Sequence, residues 1–329
     1  MENEILRRIR LDYDAERICL DLSLSLEELF YYINNINKYE MKLFTKISSN
    51  GKIMFDFKKQ NYDDDVELKV VNGTTSFVAI ADSHIGSAHD NVQRFDSINT
   101  FLSKNNIKTL VNLGDLIDGP VHQNQSRERR IPDLETQIEE AIKLYPYIFG
   151  PNIIVLGGHD LEYKTANGYS INKALKQYRT DIKTYSSGVG ILKYGKERIL
   201  LCHDTDDKWI QDRLRRKDYT MVLSGHSHCY KDTTNEVGKG GIIDIVAPSL
   251  SDLPTTNGIA PGFLKIDMNY ERFELQEILV SNYTFIDGKV YLVGVKSYGY
   301  SMTQNKEESY ERTRINSHSN KKGKKHRYY

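Results

Sequence analysis

Five short apolar runs, at 77–81, 109–113, 153–156, 199–202 and 221–224, constrain this chain more than any other feature of it. Each is continuous and rich in β-branched residues, the pattern of a strand buried on both faces. Patterns with helical periodicity fall between them, at 92–104, 133–147, 170–179 and 207–217. Strand and helix in alternation predict an α/β layered domain. Four further runs, near 242–247, 262–267, 273–280 and 289–295, follow one another as strands and make the second half strand-rich.

All five of the first runs end in residues with metal-ligand side chains. These are Asp82-Ser83-His84, Gly114-Asp115-Leu116-Ile117-Asp118, Gly157-Gly158-His159-Asp160, Cys202-His203-Asp204 and Gly225-His226-Ser227-His228, and they hold five of the nine histidines. In an open α/β sheet, ligands gather outside the carboxyl ends of the strands. Residues spread from 82 to 228 are thereby delivered to one place. Asp82 and His84 are two apart, as are His226 and His228, which puts each pair on one side of an extended segment. Carboxylates mixed with imidazoles suit Mn, Fe or Zn better than Mg or Ca. Two such ions bridged by a carboxylate form the clamp used in phosphoryl transfer.

The motifs D-x-H, G-D-x-x-D, G-x-H-D, H and G-H-x-H, in this order, resemble those of the calcineurin-like metallophosphoesterases over roughly residues 75–270. One such motif is weak; five in order, each after a strand, are specific. The resemblance implies a layered β-sandwich flanked by helices, with two divalent ions, manganese first and iron or zinc as alternatives. It implies one ion held by Asp82, His84, Asp115 and His228, and a second by Asp115, His203 and His226, with Asp115 as the bridge. It also implies that a hydroxide between the ions attacks phosphorus while His159 acts as general acid for the leaving oxygen. Asp118 would orient or charge His159, since a nearby carboxylate favours the imidazolium. One position departs from the pattern: Gly158 stands where the family has an Asn that ligates the second ion. That site is then one protein ligand short, and the two ions should bind with clearly different affinity.

Residues 1–60 read as a separate unit. Helices are predicted over 2–10, over 14–21 after a cap at Asp12 or Asp14, and over 26–37, where Ser25 and Glu28 have capping-box spacing. Runs at 42–47 and 52–57 joined through Asn50-Gly51 predict a hairpin. The order is that of a winged helix-turn-helix, whose partner is DNA or another protein. Residues 1–72 carry eleven Lys/Arg against fourteen Asp/Glu, which argues against a strong DNA reader. Residues 61–73 are polar and acidic and read as a linker, 74–298 as the phosphoesterase domain, and 299–329 as a basic disordered tail. From Lys306 on, that tail has eight Lys/Arg and three Glu, free to hold nucleic acid or to act only as a solubilising end.

Composition removes several classes. Lys+Arg and Asp+Glu balance at 45 each, so there is no bulk attraction to nucleic acid or membranes. No run reaches the length of a membrane span. Cys19, Cys202 and Cys229 are odd in number and far apart, which argues against a disulfide framework and for a reducing compartment. The first residues show no secretory signal. The expectation is a soluble, cytoplasmic protein.

Other residues stay open or bland. His89 and His122 read as surface residues, and 125–130 as a loop that either contacts substrate phosphate or is solvated. Asp204, Asp206 and Asp207 read as caps of the next helix, and Trp209 as a packing residue. The expected activity is two-metal hydrolysis of phosphate esters, with the N-terminal unit and basic tail tilting it toward nucleic-acid phosphodiesters. A nucleotide or protein phosphatase, and a noncatalytic scaffold of the same fold, are the competing readings.

Overall fold

The computed structural model describes residues 1–38, 43–57, 65–119, 129–161, 168–185, 187–206, 210–211, 219–234, 241–253 and 261–299. Most of the helix expected over 207–217, residues 120–128 with His122, Trp209 and residues 300–329 lie outside them.

Three helices open the chain, α1 (Glu2–Arg10), α2 (Ala15–Leu22) and α3 (Leu26–Lys38), followed by an antiparallel pair, β1 (Phe44–Ile47) and β2 (Ile53–Asp56). Their starts have chemical causes. Asp14 accepts the Arg17 N–H at 2.9 Å. The Glu28 N–H donates to Ser25 Oγ at 3.1 Å, and the Ser25 N–H donates to Glu28 Oε2 at 2.7 Å. This reciprocal box satisfies two orphan donors, and losing such a cap costs about 1 kcal/mol. Ile5, Ile18, Leu29, Phe30, Ile33 and Ile53 form the core of this segment. Tyr147 and Phe149, from much later in the chain, pack against it.

The strands and helices that follow are β3 (Val66–Leu68), β4 (Gly73–Ile80), α4 (Gln93–Lys104), β5 (Leu110–Asn112), α5 (Leu134–Leu144), β6 (Asn152–Val155), α6 (Gly158–Leu161), α7 (Ile171–Tyr178) and β7 (Ile182–Tyr185). After them come β8 (Val189–Tyr194), β9 (Glu197–Cys202), β10 (Met221–Ser224), β11 (Lys231–Asp232), β12 (Ile243–Val246), β13 (Gly262–Glu271), β14 (Glu274–Ile286) and β15 (Lys289–Gly299). They form a seven-stranded sheet, β15-β14-β13-β4-β5-β6-β7, and a six-stranded sheet, β11-β12-β10-β9-β8-β3. β4 to β7 run parallel in the first, with Val78 opposite Leu110 and Val111 opposite Ile153. β9, β10 and β12 run parallel in the second.

Period-two alternation explains the layering. Phe77, Ala79, Val111 and Ile153 face Ile199, Leu201, Leu223 and Ile245 in a core between the sheets. Their neighbours Val78, Ile80, Leu110 and Ile154 face the other way, onto Phe95, Ile98, Ile138 and Leu175 of the helices. Leu200, Cys202 and Val222 bury the outer face of the six-stranded sheet. Strands with a core on both faces are apolar at most positions, and each fully buried Leu, Ile or Phe contributes roughly 1.5–3 kcal/mol.

One expectation needs correcting. Within 61–73, read as a linker, Val66–Leu68 is a strand that pairs in parallel with β8. Val66 and Leu68 are buried and Glu67 is exposed, a pattern too short to stand out among acidic neighbours. Among the described residues, no helix is long and apolar enough to cross a membrane.

Candidate metal centre

Parallel strands from both sheets end at one place. Asp82 and His84 follow β4, Asp115 and Asp118 follow β5, and His159 lies on α6 after β6; His203 follows β9, and His226 and His228 follow β10. The structure brings seven of these side chains into three overlapping groups, within each of which the donor atoms lie within 4.8 Å of one another. The groups are Asp82, His84 and His228; His84, Asp115 and His159; and Asp115, His203 and His226.

The backbone differs from expectation at the donors. Asp82, His84, Asp115, His226 and His228 all have positive φ, between 45° and 68°. The i, i+2 pairs thus share the site through left-handed turns, not through extended backbone. Each such residue costs on the order of 1 kcal/mol and persists only where the surroundings hold it. Here the strand-end loops hold one another. The Asp82 N–H donates to Gly114 O and the His84 N–H to Asp115 O, both at 3.0 Å. The His226 N–H is shared between the two carboxylate oxygens of Asp82 at 3.1 Å each. The Ser249 hydroxyl donates to the Asp82 carbonyl at 2.8 Å.

The imidazoles are aimed by their other nitrogens. Nδ1 of His203 donates to Leu113 O at 2.8 Å, leaving Nε2 toward Asp115 Oδ2 at 3.0 Å. Nδ1 of His84 faces Asp118 Oδ1 at 3.3 Å, while its Nε2 stands 3.2 Å from Nε2 of His228. Nδ1 of His159 donates to the main-chain carbonyl of Asp118 at 2.7 Å.

Electrostatics follow from burial and pairing. Burial pushes the Asp82 carboxyl up to about 7. Burial opposes a charge on His203, but the Asp115 and Asp82 carboxylates outweigh it and push His203 up to about 10. Burial would raise Asp115, and the neighbouring histidines outweigh it, holding the carboxyl well below its usual range. Burial and the nearby His84 take His228 down to about 3.

A calcineurin-like phosphoesterase family model matches residues 75–246. The chain belongs to the calcineurin-like phosphoesterase family. It is a metal-dependent hydrolase of phosphoric esters. No curated protein matches the sequence. Similar solved structures include Vps29 complexed with zinc from Entamoeba histolytica, at 17% identity and TM-score 0.37, covering 68% of this chain and 99% of that one. The phosphoesterase YfcE from E. coli is similar at 15% identity and TM-score 0.39, covering 68% of this chain and 98% of its own. An archaeal phosphodiesterase is similar at 14% identity and TM-score 0.39, covering 63% of this chain and 99% of its own.

The donor set of this phosphoesterase fits divalent metal on its own chemistry. Nε2 of His203 is buried and makes no hydrogen bond in the structure. The facing ring nitrogens of His84 and His228 stand at 3.2 Å, close to the spacing of about 3.3 Å for two donors on one tetrahedral ion.

Several residues have contacts that the sequence reading did not name. The carboxylate of Asp118 faces His84 and Arg129, and it is the carbonyl of Asp118 that orients His159. Asp204, read as a helix cap, has Oδ2 3.8 Å from His226 Nε2. Asp160 received no role, yet it is buried and accepts the N–H groups of Leu116, Ile117 and Gly157 at 3.0–3.2 Å, tying the second motif to the third. Its place directly after His159 was the available signal. His89 stays outside the donor groups.

Proposed function

We propose that the centre holds two divalent ions, manganese first among them, and that the enzyme cleaves phosphodiesters of nucleic acid. The observation that carries the two-ion reading is the position of Asp115, which belongs to two donor groups at once. Its Oδ2 lies 3.0 Å from His203 Nε2 and 3.7 Å from His84 Nε2. Asp82, His84, Asp115 and His228 would hold one ion, and Asp115, His203 and His226 the other. Such a pair, when bound, supplies a nucleophile at neutral pH and neutralises charge on the phosphoryl oxygens.

The chain's own groups do the rest. Because Nδ1 of His159 is committed to the Asp118 carbonyl, Nε2 is the nitrogen left to give a proton to the leaving oxygen. Asp82 accepts the His226 N–H and so keeps the fifth motif against the first.

The polynucleotide reading is supported by the basic tail, with eight Lys/Arg against three Glu from Lys306 on. The appended helical unit, taken as 1–60 and followed by a phosphoesterase domain to 298, suits a protein partner better than a DNA groove. Its α3 opens with Glu27 and Glu28 and has no Lys or Arg before Lys38. Cys19, Cys202 and Cys229 are buried and form no disulfide, which suits the cytoplasm.

The test is Mn2+-dependent hydrolysis of bis-p-nitrophenyl phosphate beside p-nitrophenyl phosphate, then of single- and double-stranded DNA and RNA. Diester turnover that disappears in His84→Ala and Asp115→Ala is expected. Turnover of the monoester alone would replace this reading with that of a phosphatase, and no turnover with any divalent metal would leave a binding scaffold.

A further inference from the structure

Arg129 is not a donor to the centre, yet its side chain is only 7% exposed and its Nε lies 3.0 Å from Asp118 Oδ2. The other oxygen of Asp118 lies 3.3 Å from Nδ1 of His84. Nε2 of His84 in turn faces His228 at 3.2 Å and Asp115 at 3.7 Å. Guanidinium, carboxylate and imidazole therefore form a line that ends at a donor atom. Asp118 and His84 are both buried, so water screens little of it.

We propose that Arg129 is a positioning residue of the metal centre: it holds the Asp118 carboxylate against Nδ1 of His84 and so presents Nε2 of His84 as the metal-binding lone pair. The proposal rests on the reading of His84 as a ligand. The physical reason is tautomeric. A neutral imidazole has one ring proton, and the nitrogen that faces a fixed carboxylate keeps it. Asp118 cannot stay fixed by itself, because it is a buried carboxylate three residues from the carboxylate of Asp115. Its two oxygens are held by different partners, Oδ1 facing His84 at 3.3 Å and Oδ2 facing Arg129 at 3.0 Å. Without the guanidinium, Asp118 is free to turn away, and His84 loses its orientation.

Arg129 is well placed to do this. Its backbone bridges that of Ser87 in antiparallel fashion, and the Ile131 N–H donates to Gly86 O at 3.0 Å. Gln137 clasps the two segments together. Its Oε1 accepts the Gly119 N–H at 2.9 Å, and its Nε2 donates to Ile131 O at 2.8 Å and to Gly119 O at 3.2 Å. The neighbouring Arg130 is anchored to Asp90 and Glu140 at 2.6 Å each. The chain direction at 129–131 is thus set by these contacts, and the guanidinium has a defined target.

The experiment is a calorimetric titration of the full-length protein with Mn2+, in the wild type, His84→Ala, Arg129→Gln, Arg129→Lys, Asp118→Asn and the double variant Arg129→Gln/Asp118→Asn. Arg129→Gln is expected to weaken the site that His84→Ala abolishes by about 10–100-fold, the usual effect of losing an outer partner of a ligating histidine. Arg129→Lys is expected to restore part of it. In the Asp118→Asn background, Arg129→Gln is expected to add nothing, because its effect passes through Asp118. Wild-type Mn2+ affinity in Arg129→Gln, or an equal further loss in the Asp118→Asn background, overturns the proposal while leaving His84 a ligand. Unchanged Mn2+ binding in His84→Ala overturns the ligand reading, and the proposal with it. If Arg129→Gln does not fold, Asp118→Asn carries the test: a 10–100-fold loss supports the line of three, and wild-type affinity overturns it.

Discussion

The main-chain N–H of His159 donates to Oδ1 of Asp115 at 3.0 Å. The carboxylate shared by two donor groups is therefore oriented by the turn that carries His159. That turn begins with two glycines whose surroundings are opposite. A Cβ on Gly157 would stand 2.2 Å from Asp115 Oδ1 and 2.6 Å from the Asp115 nitrogen, whereas a Cβ on Gly158 would meet nothing within 4 Å.

Gly157→Ala is accordingly expected to disrupt the centre. The methyl cannot be accommodated by a flexible side chain, because one of the atoms it meets is backbone. Overpacking of this kind costs about 1–3 kcal/mol. It also displaces Asp115, so Mn2+ affinity should fall more than tenfold. Denaturant unfolding and calorimetry read the two effects separately, and unchanged affinity would show that Asp115 is not held by this contact.

Gly158→Asn is expected to behave in the opposite way. The space is open and the backbone there is not left-handed, so stability should stay within about 0.5 kcal/mol, as for an ordinary surface change. The family resemblance makes an Asn at this position a ligand of the second ion, which the proposal above assigns to Asp115, His203 and His226. The weaker of two Mn2+ dissociation constants should tighten, and the wild type should show two unequal sites. Two equal and tight sites in the wild type would remove the reason for the substitution to act.

The pH dependence of the metal-free protein has a definite sign. The folded pKa of His203 is raised to about 10 from the ordinary 6.5. Its contribution to stability is then complete below 6.5 and is lost as pH rises through 10. Asp82, raised from 3.8 to about 7, acts in the same sense at lower pH, and His228, lowered from 6.5 to about 3, acts against it there. The clean window is therefore pH 7–10. In chelator, the melting temperature should fall across that window, and His203→Ala should flatten the fall. Metal replaces the proton on the imidazole, so the stabilisation by Mn2+ should grow with pH over the same range. A chelated protein whose melting temperature rises from pH 7 to 9.5 would contradict the His203–Asp115 pairing.

Legibility in the sequence followed the physics of burial. Strands covered on both faces, such as β5 and β10, are buried at every position and announce themselves as nearly continuous apolar runs. The donor residues were legible because residue type and order carry that information. What the carboxylate of Asp118 touches was not, because the chain turns at Asp118 and splits the roles of its carbonyl and its side chain between His159 and His84. The burial of Arg129 was hidden in a run of charges, since it depends on a bridge to Ser87, 42 positions earlier. Left-handed backbone at five donors was equally hidden: Asp and His tolerate that region, and only the cross-loop hydrogen bonds select it.

A last expectation concerns the junction between the helical unit and the sheets. Arg179 is fully buried, with Nε and Nη2 each 2.8 Å from an oxygen of Asp181, also buried. Its remaining N–H groups donate to the carbonyls of Ile142, Tyr145 and Pro146 at 2.7–3.0 Å. Its guanidinium lies 3.7 Å from the ring centre of Tyr147, and Tyr147 stacks on Phe30 of α3 at 5.8 Å. Arg179→Met leaves Asp181 charged and unpaired in the interior, which should cost about 3–5 kcal/mol. Replacing both, as Arg179→Met/Asp181→Leu, should recover part of that loss, because no charge is then stranded, but not all of it, because the three carbonyls lose their donors. Denaturant unfolding of the three proteins checks the order. A single variant within 1 kcal/mol of the wild type would mean that the Arg179–Asp181 pair adds little, and that the junction is held by the other contacts there, Tyr147 and Phe149 among them.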